Sequence, residues 1–266
     1  LGPLGTFSEE ATRQHFGDNI VTLPTDSIDE IFSHVQSDIS HYGVVPVENS
    51  TEGVVTHTLD NFINSGLKIC GEVVLRIHQN LLISEVTKKD GITRIYSHSQ
   101  SLAQCRKWID ANYPNAERIA VSSNADAAKR IKGEWHSAAI ASATAANIYD
   151  LTVLNEKIED MPDNSTRFLI IGAQDVPASG VDKTSIVVSM RNEAGALHNL
   201  LEPFHRLGLD LTRVETRPSR SGVWNYVFFI DFNGHISEPK VREALDNVGE
   251  KAAELKVLGS YPVGVL

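Results

Sequence analysis

The sequence predicts an α/β protein: a two-lobed region over about the first 175 residues, then a small βαββαβ module. Three observations lead there. Short apolar runs alternate with helically periodic segments from residue 6 to residue 171, the pattern of helices packed on a largely parallel sheet. That pattern breaks near 76–80 and 158–165, as if a second lobe were inserted into the first and joined to it by crossing strands. After a stretch at 174–182 that holds Pro177, Ser179 and Gly180, a linker by composition, the order becomes strand, helix, strand, strand, helix, strand, which is ferredoxin-like.

Taken in order, Thr6 precedes a helix with Glu9 three residues on, and Ser27 precedes another with Glu30; both read as capping boxes. Residues 43–47 form a strand with Pro46 at its end or edge, 54–63 a helix, and 73–77 and 81–84 extended segments. A strand at 92–97 leads into one continuous helix over 99–112, then a strand at 118–121, a helix at 124–131, a strand at 138–141 and a helix at 143–148. Residues 152–158 and 167–171 are extended. The terminal module places strands at 183–190, 209–216, 223–232 and 254–261 around helices at 195–207 and 237–248. The expected division is 1–175, with lobe one at 1–76 and 158–175 and lobe two at 77–157, followed by 183–266.

Composition narrows the function. Apolar residues make up 41% and charged residues 22% of the 266, and the net charge is −10. The last 88 residues carry 10 basic and 11 acidic side chains, the first 178 the remaining 14 and 23. No basic footprint of a nucleic-acid binder is present, so an anionic ligand needs a few local donors. Cys70 and Cys105 lack metal-site spacing and read as buried reduced thiols. No apolar run reaches the length of a membrane span, no signal peptide is read, and a cytoplasmic location is expected. Chain residues from Leu1 enter a Gly-Pro turn without an initiator Met, which suggests a first strand upstream. Nucleotide, zinc and hydrolase motifs are missing, so no cofactor or metal is expected.

Four polar clusters sit at strand ends or helix starts, where open α/β sheets bind ligands. Gly2 to Ser8 puts bare backbone and hydroxyls, including Thr6, before a helix. Pro46 to Gly53 places Asn49 and Ser50 at the end of a strand. Ser97-His98-Ser99-Gln100 opens a helix, with His98 as a possible acid–base group. Asn164 to Phe168 offers the Thr166 hydroxyl and Arg167, which suits a bidentate grip on a ligand carboxylate or on an internal Asp or Glu equally. Each cluster also reads as an ordinary capped turn.

Together these clusters resemble the prephenate dehydratase family in its monofunctional form. The resemblance runs through Gly-Pro-x-Gly-Thr-Phe-Ser at Gly2 to Ser8, Val-Pro-x-Glu-Asn-Ser-x-Glu-Gly at Val45 to Gly53, and Ser-His-x-Gln-x-Leu-Ala-Gln-Cys at Ser97 to Cys105. Thr166-Arg167-Phe168 matches the family's Thr-Arg-Phe; Ser99 stands where the family usually has Pro. The last module resembles an ACT domain, with Gly195-Ala196-Leu197 and Glu215-Thr216-Arg217-Pro218 in place of its Gly-Ala-Leu and Glu-Ser-Arg-Pro runs. The resemblance implies a periplasmic-binding-protein-like catalytic region. It implies prephenate as substrate, decarboxylated and dehydrated to phenylpyruvate, with Thr166 as the catalytic hydroxyl and Thr6, Asn49, Ser50, Ser99, Gln100, Arg167 and Phe168 around the substrate. It also implies L-phenylalanine as allosteric effector at Gly195, Ala196, Leu197, Glu215, Thr216, Arg217 and Pro218, in a homodimer or homotetramer. An arogenate-preferring enzyme and a non-catalytic carboxylate-binding protein are the alternatives.

Overall fold

A computed structural model describes residues 1–191, 193–218 and 226–265. The chain opens with helices α1 (Phe7–Phe16) and α2 (Ile28–Gln36), strands β1 (Gly43–Asn49) and β2 (Gly53–Val54), helix α3 (Thr56–Asn64) and strand β3 (Lys68–Arg76). Ser27 caps α2 by accepting from the Glu30 amide, and Glu30 answers by accepting from the Asp26 amide. At α1 the capping box differs from expectation: Glu9 accepts from the Gly5 amide at 2.6 Å, and the Thr6 hydroxyl donates to the Leu1 carbonyl. Arg13 holds the same Glu9 carboxylate from the next turn.

Strand β4 (Asn80–Ile83) then begins a second sheet, followed by β5 (Arg94–His98), α4 (Ser99–Gln104), α5 (Arg106–Asn112), β6 (Glu117–Val121), α6 (Asn124–Ile131), β7 (Ser137–Ala141), α7 (Ala143–Tyr149) and β8 (Thr152–Asn155). The helix expected over 99–112 is broken at Cys105. Asp160, from the returning chain, takes the Lys107 and Trp108 amides at 2.9 and 3.1 Å and so caps α5 as a separate helix.

Strand β9 (Ser165–Gly172) returns to the first sheet, whose order is β2-β1-β9-β3. The parallel sheet expected from the alternation is therefore only partly present. The chain leaves by β3 and comes back by β9, which inserts between β1 and β3 antiparallel to both. In the second sheet, order β6-β5-β7-β4-β8, β5 pairs parallel with β6 and β7, while β4 pairs antiparallel with β7 and β8. The two connections lie side by side: the Ile158 amide donates to the Gln79 carbonyl and the Ile77 amide to that of Asn164. Glu159 accepts from the Gln79 amide at 2.9 Å and meets His78 Nδ1 at 2.8 Å.

The remaining elements are β10 (Asp182–Met190), α8 (Ala196–Arg206), β11 (Leu211–Pro218), β12 (Tyr226–Asn233), α9 (Pro239–Lys251) and β13 (Glu254–Pro262). Their sheet, β11-β12-β10-β13, is wholly antiparallel. Positions 223–225 of the expected third strand lie outside the described residues. One face of this sheet packs Ile186, Val188, Phe228, Ile230 and Phe232 under α8 and α9. The other face brings Val187, Val227, Phe229, Leu258 and Tyr261 against Leu169, Ile171 and Ile69 of the first sheet, in one core shared with α2 and α3. Contact is close enough that a Cβ on Gly259 would stand 2.2 Å from the Ile69 carbonyl oxygen.

Candidate active site

The register of β1 on β9 pairs Asn49 with Thr166 and, one step back, Glu48 with Arg167. Alternation along a strand sends the members of each step to opposite faces. Asn49 Nδ2 donates to Thr166 Oγ1 at 2.7 Å. The amide orientation follows from its other end: Asn49 Oδ1 accepts from the Thr51 amide, the Thr51 hydroxyl and the Glu52 amide, at 2.7–3.0 Å. A hydroxyl has one proton and two acceptor lone pairs, so Asn49 occupies an acceptor site of Thr166 and leaves its proton to donate. Ser50 is tied to the same strand, its Oγ accepting from the Ser165 amide at 2.9 Å.

The second lobe faces this turn across a polar seam. Gln100 Nε2 reaches Glu52 at 3.5 Å, and Gln104 Nε2 reaches Thr51 and Glu52 at 3.4 Å. Asn164 Nδ2 donates to Gln104 Oε1, while Asn164 Oδ1 accepts from Thr51. Ser99 and Gln100 are exposed at the start of α4. His98 caps that helix, its Nδ1 accepting from the Gln100 amide at 3.4 Å. Behind them Ser101 joins Gln79 and Asn124 in a buried amide cluster. Further along, the lobes meet where Ser142 donates to Gly5, Tyr149 to Leu4 and Thr144 to Glu10. Burial holds the Glu10 carboxyl above its ordinary pKa, and the Thr144 hydrogen bond and nearby His78 draw it back.

The structure thus brings Asn49, Ser50 and Thr166 together, with Gln100 of the facing lobe in contact with the same turn. Thr6 is not hydrogen-bonded to this group. It borders a cavity of about 650 Å³ beside residues 20–25 and 41–44, which none of the others lines. Phe168 is buried with Ala11, Val44 and Cys70 beneath α1 and serves the core. Arg167 corrects the carboxylate-clamp expectation. Its guanidinium turns to the opposite face and donates to Glu72 at 2.6 Å, Asp231 at 2.6 Å and the Tyr261 hydroxyl at 3.0 Å. Burial alone would lower its pKa, but Tyr261, Asp231 and Glu72 outweigh burial and raise it, so it stays charged. Gln104 and Asn164 also join this seam, though neither was among the expected substrate contacts. The i, i+4 spacing of Gln100 and Gln104 was the available signal for the first.

The prephenate dehydratase family model matches residues 1–176, and the ACT domain model residues 184–250. The chain belongs to the prephenate dehydratase family. A Pseudomonas aeruginosa bifunctional chorismate mutase/prephenate dehydratase is 64% identical over 266 residues, covering all of this chain and 73% of that protein. The crystal structure of the Arthrobacter aurescens prephenate dehydratase in complex with L-Phe superposes with TM-score 0.91 at 33% identity, covering 98% of this chain and 88% of that one. A structure described as GqqA, a quorum-quenching acylase, also superposes with TM-score 0.91, at 27% identity over 99% of this chain and 96% of that one.

In the ACT domain of this family member, the residues that the sequence resemblance implies for the effector divide between two faces. Gly195, in the left-handed region at φ 86°, caps α8; Ala196 begins that helix and Leu197 is exposed. Thr216 pairs with Phe228, whose side chain lies beneath the helices, whereas Glu215 and Arg217 pair with Phe229 and Val227 on the face turned to the first sheet. Arg217 corrects the effector expectation in part: its Nη2 donates to both oxygens of Asp60 on α3, at 3.0 and 3.1 Å. Pro218 ends the exposed edge strand. No described helix is long and apolar enough to cross a membrane.

Proposed function

We propose that this chain converts prephenate to phenylpyruvate in the groove between its two lobes, with Thr166 as the acid-side group and residues 1–175 as the catalytic region. The observation that carries the reading is the Asn49–Thr166 pair at the seam of the lobes. In the reaction the ring–carboxylate bond breaks, its electron pair enters the ring as carbon dioxide leaves, and the ring C–O bond breaks on the far side. The departing oxygen leaves with the C–O electron pair as hydroxide, hydrogen-bonded as its charge develops, and takes a proton from solvent to become water. Aromatisation supplies the driving force, so the protein needs to hold two carboxylates and support the departing oxygen. A threonine hydroxyl is too weak an acid to protonate that oxygen beforehand. It donates a hydrogen bond that strengthens as negative charge develops.

With Arg167 turned away, the carboxylates fall to neutral donors: Ser50, Ser99, Gln100 and backbone amides of the flanking turns, with Thr6 at the periphery. Acyl transfer of the kind named for GqqA is disfavoured here. The Thr166 oxygen accepts a hydrogen bond from an amide, which makes it less nucleophilic rather than more.

L-Phenylalanine then acts as effector at the Gly195–Leu197 turn, with Thr216 and Pro218 of the exposed β11 edge completing the site in a homodimer or homotetramer. The test is ultraviolet detection of phenylpyruvate from prephenate, with and without phenylalanine, beside the same assay on arogenate. Ligand binding without release of carbon dioxide would leave a binding protein instead.

A further inference from the structure

The face of the catalytic sheet opposite Thr166 carries a second constellation, which the reaction itself does not use. Glu48 and Arg167 are cross-strand partners there, one residue from the Asn49–Thr166 pair. On the ACT sheet, Arg213 and Asp231 are likewise cross-strand partners. The two pairs exchange ions: Arg167 Nη1 meets Asp231 Oδ2 at 2.6 Å, and Arg213 Nε faces Glu48 Oε2 at 3.5 Å. Each domain thus gives one arginine and takes one carboxylate.

The first crossing is tightly built. Ser185 donates to Asp231 at 2.6 Å and contacts the Tyr261 hydroxyl, while Glu72 is shared by Arg167, Lys183 and the Gly264 amide. The second is looser. The Arg213 side chain is 10% exposed and Glu48 is 42% exposed, and Arg213 Nη2 is buried without a hydrogen-bond partner among the described residues.

A strand transmits tilt and register to its next residue through a stiff backbone. We propose that Arg167 and Arg213 are positioning residues that hold the Asn49–Thr166 pair from behind. The ACT sheet thereby sets the direction of the Thr166 hydroxyl through both strands that carry the pair. This rests on the reading of Thr166 as the group that meets substrate. It also gives an effector at β11 a short path, since Arg213 lies on that strand.

The test is steady-state kinetics on prephenate for Arg213→Met, Glu48→Gln, their double variant, Arg213→Lys and Thr166→Ala, all in the full chain. A small misplacement of a reacting group lowers rate steeply, so Arg213→Met and Glu48→Gln should each lose roughly 10-fold in kcat with KM changed less than about twofold. The double variant should be no worse than either single one, and Arg213→Lys should restore most of the rate. If Arg213→Met fails to fold, Glu48→Gln carries the measurement, because that side chain is the exposed partner. Parental kcat in folded Glu48→Gln and Arg213→Met, or losses that multiply in the double variant, would overturn the proposal provided Thr166→Ala is impaired. An unimpaired Thr166→Ala would instead overturn the reading of the site on which it rests.

Discussion

Replacing Thr166 by alanine isolates the hydroxyl that Asn49 holds beside the seam of the lobes and that we propose meets the departing oxygen. Asn49 stays in place without it, because its carbonyl end is held by three donors from Thr51 and Glu52. The variant therefore loses one proton donor and leaves one amide hydrogen of Asn49 without its acceptor. The stability cost of that stranded, partly buried donor is about 1 kcal/mol. The rate cost is larger: a preorganised donor to developing oxygen charge contributes about 3–4 kcal/mol, so kcat should fall by roughly 10²–10³. KM should move less than about threefold, since the hydrogen bond matters most in the transition state. Thr166→Ser keeps the hydroxyl and should recover activity to within about 10-fold of the parent. The assay is phenylpyruvate formation at saturating prephenate, run below the melting point of each variant. A folded Thr166→Ala protein with near-parental kcat would refute the assignment.

Other perturbations test the scaffold. Gly259→Ala pushes a methyl into the Ile69 carbonyl, where backbone meets backbone; it should lower unfolding stability by about 1–3 kcal/mol in denaturant titration. Gly249→Ala, exposed on α9 with only an ordinary contact to Leu255, should be neutral or stabilising by up to about 1 kcal/mol. Partial burial of the His15 ring lowers its pKa in the folded state, so the unfolded chain takes up that proton first. Stability should accordingly fall as pH drops through about 6.5 and below, and His15→Gln should flatten that part of a stability–pH curve. Burial raises the pKa of both Cys70 and Cys105, so thiol reagents should label neither until the chain unfolds.

The grouping of Asn49, Ser50 and Thr166 in the candidate site was legible because turn chemistry is local. Asn49, Ser50 and Thr166 announce themselves as polar bursts beside apolar strands, and the cap at Ser27 needs nothing beyond its neighbours. What escaped was decided at a distance. The break at Cys105 depends on Asp160, 53 residues beyond the amide it caps. The antiparallel first sheet depends on where β9 inserts, which alternation of helices and strands cannot tell. Arg167 is a different case. Adjacent strand residues point to opposite faces, so Thr166 and Arg167 cannot both line one cleft. The same rule separates Thr216 from Arg217 on β11. Period-two reasoning applied to the motifs would have divided both pairs correctly.

The position of β9 also governs the order in which the fold can be made. Its partners in the first sheet are β1 and β3, yet β9 follows the whole second lobe in the chain, and the hydrogen bond between Asn49 and Thr166 spans 117 positions. During synthesis β1 and β3 emerge with the strand that joins them still unmade. The second sheet, by contrast, draws all its strands from one continuous segment, 80–155. Loops of high sequence separation close late and local ones early. The second lobe is therefore the part that can fold first. The exposed edges of β1 and β3 must then wait for residue 172 to clear the ribosome, an interval in which unpaired strands invite aggregation. Denaturant refolding followed by pulsed hydrogen exchange should protect the Ile95 and Ile140 amides before those of Val45 and Ile170, with catalytic competence arriving together with the last pair.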